Sequence, residues 1–133
     1  DNDLLEGIPK EEVVHAALWN LNPESVAGPY GFPSSFYRGS WEVVKHDRIL
    51  AIQDFFRGGG LPQIVSATTL VLLPKIKYPS SLLHYQPMSM CNVPYKISVS
   101  IINRRLSSLL PRWISMEQHG FIKDRSVQGV MEM

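Results

Sequence analysis

The sequence predicts an α+β fold that is mostly helical and contains one short antiparallel β-hairpin. Apolar residues recur at helical spacing in three stretches, at residues 10–21, 34–57 and 93–110. Between the second and third stretches, positions 66–74 are rich in β-branched and leucine residues and end at a proline, and another apolar run follows at 85–90. With 133 residues, the chain is long enough for one domain with its own hydrophobic core.

The first helix is expected directly after Pro9. Proline suits the first helical position, and Glu11 and Glu12 follow where the helix dipole favours negative charge. The repeat that predicts its buried face consists of Val13, Ala16, Ala17 and Asn20, broadened by Val14 and Leu18. The stretch 22–35 is rich in proline, glycine, serine and asparagine, and is expected to form a loop.

A second helical region is expected from about Ser34 to Arg57. Gly39 and Ser40 divide it, and the Ser40 hydroxyl can cap the longer half. The expected buried stripe consists of Trp41, Val44, Ile49, Ile52, Phe55 and Phe56. The glycines at 58–60 end the helix, because glycine readily adopts the left-handed conformation found after a helix C-terminus. Glycine triplets also occur in phosphate-binding loops, but here no strand precedes the triplet and no helix is expected after it.

The runs 66–74 and 85–90 are expected to pair as the hairpin, with Pro87 restricting the second strand to an edge or an irregular end. Asn92 can cap the third helix, which has Pro94 in its first turn. Its expected apolar face is Tyr95, Val99, Ile102, Leu106 and Leu109, flanked by Lys96, Arg104 and Arg105. The helix is expected to end near Leu110, with a loop after Pro111 and a last helix from about Ser126.

Charge is distributed very unevenly along a chain whose net charge is only +1. Residues 1–54 carry nine acids and four bases, whereas residues 55–116 carry seven bases and no acid. Such a basic segment favours an anionic partner, nucleic acid or nucleotide first, although a solvated basic face explains it equally well.

Several classes of protein are disfavoured by composition. Cys91 is the only cysteine, so no disulfide can form within the chain, and no Cys/His spacing matches a zinc site. The four histidines are scattered and are expected at the surface or in packing positions. No signal peptide and no membrane-spanning apolar run is recognisable, so an intracellular location, nucleus or cytoplasm, and no membrane partner are expected.

Six stretches, in order, resemble the start of the reverse transcriptase of plant LINE-type (non-LTR) retrotransposons. They are "AGPYGFPSSFY", "AIQDFFRGGGLP", "ATTLVLLPK", "YQPMSMCNVPYKI", "NRRLSSLLP" and "QHGFIKDRS". The resemblance implies the fingers of a right-hand RNA-directed DNA polymerase, cut at both ends and lacking the palm. It divides the chain into an N-terminal helical part at 1–62, a fingers hairpin at 63–92, and a helix and loop leading toward the palm at 93–133.

The resemblance assigns a role to the hairpin. In such polymerases the fingers hairpin folds over the incoming deoxynucleotide, and a basic residue at its turn neutralises the triphosphate. Lys75 matches the lysine of the family's "LIPK" motif, and Gln86 matches the arginine of "YRPISL". Lys75 and Gln86 are therefore the expected nucleotide-binding residues. The expected nucleic-acid-binding residues, facing RNA template and DNA primer, are Lys77, Lys96, Arg104, Arg105 and Arg125.

Three positions depart from the family pattern. Tyr30 stands where the family's "GPDGF" has its aspartate, and Asp124 stands where "GF..GRS" has a glycine. Gln86 brings neither the charge nor the guanidinium fork of arginine, and losing such a charge-assisted contact costs about 1.5–3 kcal/mol. These losses are typical of a decaying element copy.

No catalytic residue is expected in this chain. Two-metal phosphoryl transfer needs clustered carboxylates, and the family supplies them, with Mg²⁺, from palm motifs beyond residue 133. We therefore expect that the chain binds no metal and does not polymerise DNA by itself, and that the missing palm is its natural packing partner. Two alternatives remain open: a non-enzymatic nucleic-acid-binding module, and a retroelement remnant without a function.

Overall fold

A computed structural model describes residues 2–115 and residue 118. Six α-helices and two β-strands occur in the described residues. In chain order they are α1 Asn2–Glu6, α2 Glu11–Asn20, α3 Ser34–Gly39, α4 Trp41–Phe56, α5 Gln63–Ser66, β1 Thr68–Pro74, β2 Tyr85–Cys91 and α6 Val93–Trp113. A short 3₁₀ turn at Leu82–His84 leads into β2. The mostly helical α+β class with one antiparallel hairpin is confirmed.

The hydrophobic core lies where α2, α3 and α4 meet the first half of α6. Its buried side chains are Val14, Ala17, Leu18, Tyr37, Trp41, Ile52, Val93, Ile97 and Ile101. Each fully buried aliphatic side chain of this size contributes about 1.5–3 kcal/mol relative to an exposed one. No side chain of β1 or β2 belongs to this core, so the helices form the body of the molecule and the hairpin extends from it.

The α2 helix confirms the first prediction, and its buried residues form only a part of the expected face. The buried residues are Val14, Ala17 and Leu18, whereas Val13 is 40% exposed and Asn20 is also exposed. Apolar residues cover more than half of the circumference of this helix. Periodicity alone therefore could not determine which part of that arc faces α6.

The break between α3 and α4 lies at Gly39 and Ser40 as expected, but the hydroxyl of Ser40 does not cap α4. It donates instead to the backbone oxygen of Phe36, at 2.8 Å, within the preceding helix. The predicted capping role is therefore wrong. A serine can bond backward to the carbonyl four residues before it as readily as forward to a free N–H group.

The glycines after α4 end the helix as predicted. Gly58 has a φ angle of +93°, and its N–H donates to the Phe55 oxygen at 3.1 Å. The N–H of Gly59 donates to the Asp54 oxygen at 3.0 Å. This pair of bonds is a Schellman motif, which satisfies carbonyls that would otherwise remain unpaired at the helix C-terminus.

The α6 helix is longer than expected and buries another face. It continues through Pro111 to Trp113, because a proline in the last turn removes only one helical hydrogen bond there. Its buried residues are Val93, Pro94, Ile97, Ser98, Ile101 and Leu109. Of the predicted face, Leu109 is buried, whereas Val99 is 43% exposed. The prediction was wrong because α6 is apolar on two sides, and the other side lines open clefts with Ile102 and Leu106.

Two short helices, α1 and α5, were not expected from the sequence. Each spans five residues or fewer and buries no residue. Helices of this length give too few repeats for a periodic signal. The last helix predicted from about Ser126 lies outside the described residues.

Candidate nucleotide and nucleic-acid interface

The hairpin holds Lys75 at a defined position. β1 and β2 pair antiparallel from Thr68 with Cys91 to Pro74 with Tyr85. The ladder then extends by one pair, because the N–H of Lys75 donates to the oxygen of His84 at 2.8 Å. Lys75 is thus the first residue of the connecting loop, with its backbone still tied to the opposite strand.

The register also defines which side chains share a face with Lys75. Side chains alternate between the two faces of a strand, and directly paired residues point to the same face. The pairs Leu73 with Gln86 and Lys75 with His84 therefore point to one side of the hairpin. Lys75 and Gln86 are diagonal neighbours across the strands, about 7–8 Å apart. Lys75 and Gln86, the two residues that the resemblance assigns to nucleotide binding, therefore lie together.

The charge of Lys75 is not neutralised by a neighbouring acid. Its side chain is exposed. Within the described residues, the ion pair that forms joins Lys45 to Glu42 at 2.7 Å, and Lys75 takes no part in one. An exposed ammonium without a carboxylate partner keeps its full attraction for an anion.

His84 is a candidate residue that the sequence analysis missed. It lies directly opposite Lys75 and two residues before Gln86, on the same face of the hairpin. Its Nδ1 accepts a hydrogen bond from the N–H of Ser80 at 3.0 Å. In the neutral ring that bond assigns the proton to Nε2, which leaves an N–H donor for a phosphate oxygen. The register of the hairpin places His84 here, and that register depends on the loop length.

The second predicted cation of the hairpin, Lys77, lies farther along the loop. Its ammonium nitrogen is 5.5 Å from the ring centroid of Tyr78, in a cation–π arrangement. Tyr78 is 78% exposed. The loop therefore presents a second cation and an aromatic ring, groups that can contact phosphates and bases of a nucleic acid.

The three predicted cations of α6 differ in how freely they can reach a partner. Lys96 donates to the backbone oxygen of Val26 at 2.9 Å. Arg105 donates to the oxygen of Leu5 at 2.8 Å, and its guanidinium lies 4.8 Å from the ring centroid of Phe56. Both residues thus stabilise the helical body.

Arg104 is exposed, and among the contacts of the described residues no hydrogen bond or ion pair involves its side chain. Of the three predicted α6 cations, Arg104 is the most available to a phosphate. The sixth and last predicted cation, Arg125, lies outside the described residues.

Asn92 fixes the base of the hairpin, a role that the sequence did not indicate. Its Oδ1 accepts from the N–H of Tyr30 at 2.9 Å. Its Nδ2 lies 3.2 Å from the oxygens of Ile64 and Val65, and 3.4 Å from that of Ala67. Asn92 is 1% exposed. It occupies the N-cap position of α6 as predicted, but its side chain makes no capping hydrogen bond to that helix. It joins the two ends of the hairpin to the loop that contains Tyr30.

Gly28 allows this loop to approach so closely. A Cβ atom at this position would lie 2.4 Å from the backbone nitrogen of Asn92 and 2.4 Å from the carbonyl carbon of Cys91. Such distances are impossible for any side chain. The loop that contains Gly28 and Tyr30, which resembles the family's "GPDGF" motif, therefore packs directly on the junction of β2 and α6.

Neither a metal centre nor a membrane span is found in the described part of the chain. Within residues 2–115, no three His, Cys, Asp or Glu side chains lie close enough to hold a metal ion. No helix in that range is long and apolar enough to cross a bilayer. No protein-family model matches the chain.

Proposed function

We propose that this chain is a fingers portion of an RNA-directed DNA polymerase of the LINE retrotransposon class, and that its hairpin contacts the triphosphate of a deoxynucleotide. The supporting observation is the group formed by Lys75, His84 and Gln86. These residues share one face of an exposed hairpin, with a free cation and two hydrogen-bonding side chains. A triphosphate offers several negative charges and many acceptor oxygens to such a group.

The position of the group supports the proposal as well. Lys75 lies at the end of a hairpin that extends from the helical body, and Asn92 holds the base of that hairpin. A hairpin fixed at its base can bring its outer end over a ligand without a change in the core. In the proposed polymerase, the remaining contacts and the metal-binding carboxylates come from a palm, and this chain contributes binding without chemistry.

Nucleotide binding tests the proposal. The affinity of the chain for a deoxynucleoside triphosphate is measured by calorimetry for the wild type and for Lys75→Ala, with Lys77→Ala as the matched control. We expect Lys75→Ala to weaken binding about tenfold or more, because a charge-assisted contact contributes about 1.5–3 kcal/mol. Lys77→Ala removes the same charge two residues away, and we expect it to change the affinity less than threefold. Equal losses of affinity in the two variants would mean that only the net charge matters and that Lys75 makes no specific contact.

Polymerisation tests the second half of the proposal. The purified chain is incubated with a primed RNA template, labelled deoxynucleotide and Mg²⁺. We expect no incorporation above a protein-free control. Incorporation by this chain would show that the catalytic carboxylates lie within it, against the proposal.

A further inference from the structure

The outer edge of β1 is open. Backbone groups alternate in direction along a strand. Because the N–H of Lys75 donates to His84, Thr69, Val71 and Leu73 also direct their N–H and C=O groups toward β2. Thr68, Leu70 and Leu72 direct theirs outward. Pro74 also lies at an outward position, but it has no N–H and ends the row of donors. Within the described residues, no hydrogen bond from another part of the chain reaches these groups. An edge with unpaired backbone groups is a template for another strand.

The edge of β2 is blocked, in contrast. Pro87 pairs with Leu72, so it occupies an outward-facing position in the middle of β2. Proline has no N–H to donate there, and its ring occupies the space that an incoming strand would need. The two edges of this sheet are therefore unequal, and only β1 offers a continuous row of donors and acceptors among the described residues.

From Thr68 to Leu72, the β1 edge also lacks the side chains that normally prevent pairing, and Pro74 limits the open part of the edge to these residues. The strand contains no charged residue. Leu70 is 64% exposed and Leu72 is 48% exposed. A two-stranded sheet with apolar residues on both faces is only marginally stable in water, and addition of strands on its open edge buries those residues.

We propose that β1 pairs with β1 of a second copy of this chain, antiparallel, about a twofold axis through Leu70. In that register Leu70 faces its own counterpart, and Thr68 faces Leu72 of the other copy. Thr68 and Leu72 are equally far from Leu70. The outward N–H groups of Thr68, Leu70 and Leu72 in each copy therefore face backbone oxygens of the other copy. The result is a four-stranded sheet with β1 of each copy at its centre.

Charge favours a second copy at this surface. The strand is uncharged, so two copies approach without repulsion. The other exposed apolar surface, the Val99 side of α6, is different, because that helix carries four cations and no acid. Two α6 helices would repel each other. In the proposed pair the two Lys75 residues lie about 33 Å apart, at opposite ends of the paired strands. The inference thus goes beyond the proposed function and does not depend on it.

Cysteine cross-linking tests the register. In a Cys91→Ser background, Leu70→Cys places two thiols on the twofold axis, with Cα atoms about 5.5 Å apart, a distance that suits a disulfide. Leu72→Cys is the matched control, because its two copies would be separated by about 13 Å along the strands. We expect oxidation to link Leu70→Cys into a dimer and to leave Leu72→Cys monomeric. No linkage at position 70, or equal linkage at both positions, would overturn the proposal.

Sedimentation of the reduced protein tests the pairing itself. We expect the mass to rise with concentration from 15.1 kDa toward twice that value. Leu70→Pro removes one outward N–H and leaves the ladder to β2 intact, so we expect it to raise the dimer dissociation constant at least tenfold. Ser89→Pro makes the same change on the outer edge of β2, and we expect no effect on dimerisation. If circular dichroism shows that Leu70→Pro unfolds, Leu70→Lys takes its place, since it sets two cations side by side. A wild-type chain that stays monomeric, or Leu70 variants that dimerise normally, would contradict the inference.

Discussion

Gln86 is where a single residue has the largest expected effect on the proposed site. It lies on the same face as Lys75, two pairs farther into the sheet. We expect Gln86→Arg to tighten binding of a deoxynucleoside triphosphate about tenfold or more, because a guanidinium adds a charge-assisted contact of about 1.5–3 kcal/mol. Calorimetry measures the change.

The control for this prediction is Ser89→Arg. Ser89 is exposed on the same strand but points to the opposite face, so the variant adds the same charge on the wrong side. We expect it to leave the affinity within about threefold of the wild-type value, a change of about 0.7 kcal/mol. Equal gains in the two variants would mean that the face of the hairpin does not matter.

Asn92 is the residue whose loss should most affect the base of the hairpin. Asn92→Leu keeps the number and branching of the side-chain heavy atoms but leaves the N–H of Tyr30 without its acceptor and the oxygens of Ile64 and Val65 without their donor. Each buried unsatisfied group costs about 1–3 kcal/mol, so we expect the free energy of unfolding to fall by about 2–4 kcal/mol in urea titrations. Asn103→Leu, at an exposed site on α6, should change it by no more than about 0.5 kcal/mol. A loss below 1 kcal/mol for Asn92→Leu would argue against the clamp.

At the scale of elements, the end of α4 depends on the glycines that follow it. A Cβ at Gly59 would lie 2.8 Å from the backbone oxygen of Asp54 and 2.4 Å from its Oδ2, whereas a Cβ at Gly60 would meet nothing within 4 Å. We expect Gly59→Ala to destabilise the protein by about 1–2 kcal/mol, because the backbone must shift. Gly60→Ala should be neutral or slightly stabilising, since it restricts the unfolded chain. Thermal unfolding compares the two, and equal melting temperatures would refute the role given to Gly59.

The local sequence predicts that most of these helices and strands form. It does not predict which face of each helix is buried. The hairpin was predictable because β-branched residues, two prolines and a polar loop define it within 25 residues. The faces of α2 and α6 were not, because both helices are apolar on more than one side and the position of a neighbouring helix decides which side is buried. Asn92 fits the pattern of a helix cap equally well, and only the long-range approach of Tyr30 gives it another role.

At the scale of the whole molecule, the uneven charge predicts how the chain meets nucleic acid. Residues 55–115 carry no acid, so in the proposed function no carboxylate of this segment competes with a phosphate for the cations of the hairpin and of α6. We expect binding to an RNA–DNA hybrid to weaken steeply with salt, and Arg104→Ala to lower the slope of log affinity against log salt by about 1.

Arg105→Ala is the informative comparison for Arg104. Arg105 donates to Leu5 and lies over Phe56, so its loss should lower stability in addition to binding. Arg104→Ala should leave the urea midpoint unchanged. Binding that is insensitive to salt, or undetectable, would make the basic segment a solvated face.

The candidate site was predictable only in part at this scale. Lys75 and Gln86 came from motif resemblance, and the register of the hairpin brings them to one face. His84 could not be recognised from the sequence, because its place opposite Lys75 depends on the number of loop residues between the strands. The structural duties of Lys96 and Arg105 depend on segments 70 and 100 residues away in the chain, which no local pattern reveals.

The proposed contact between Lys75 and the phosphates of a nucleotide can be tested by varying the number of phosphates on the ligand. Affinities for the deoxynucleoside and its mono-, di- and triphosphate are measured for the wild type and for Lys75→Ala. We expect the affinity of the wild type to rise steeply with each added phosphate. In Lys75→Ala, we expect the ratio of the affinity for the triphosphate to that for the unphosphorylated deoxynucleoside to be at least tenfold smaller. An affinity that rises equally with each added phosphate in the two proteins would mean that Lys75 does not contact the phosphates.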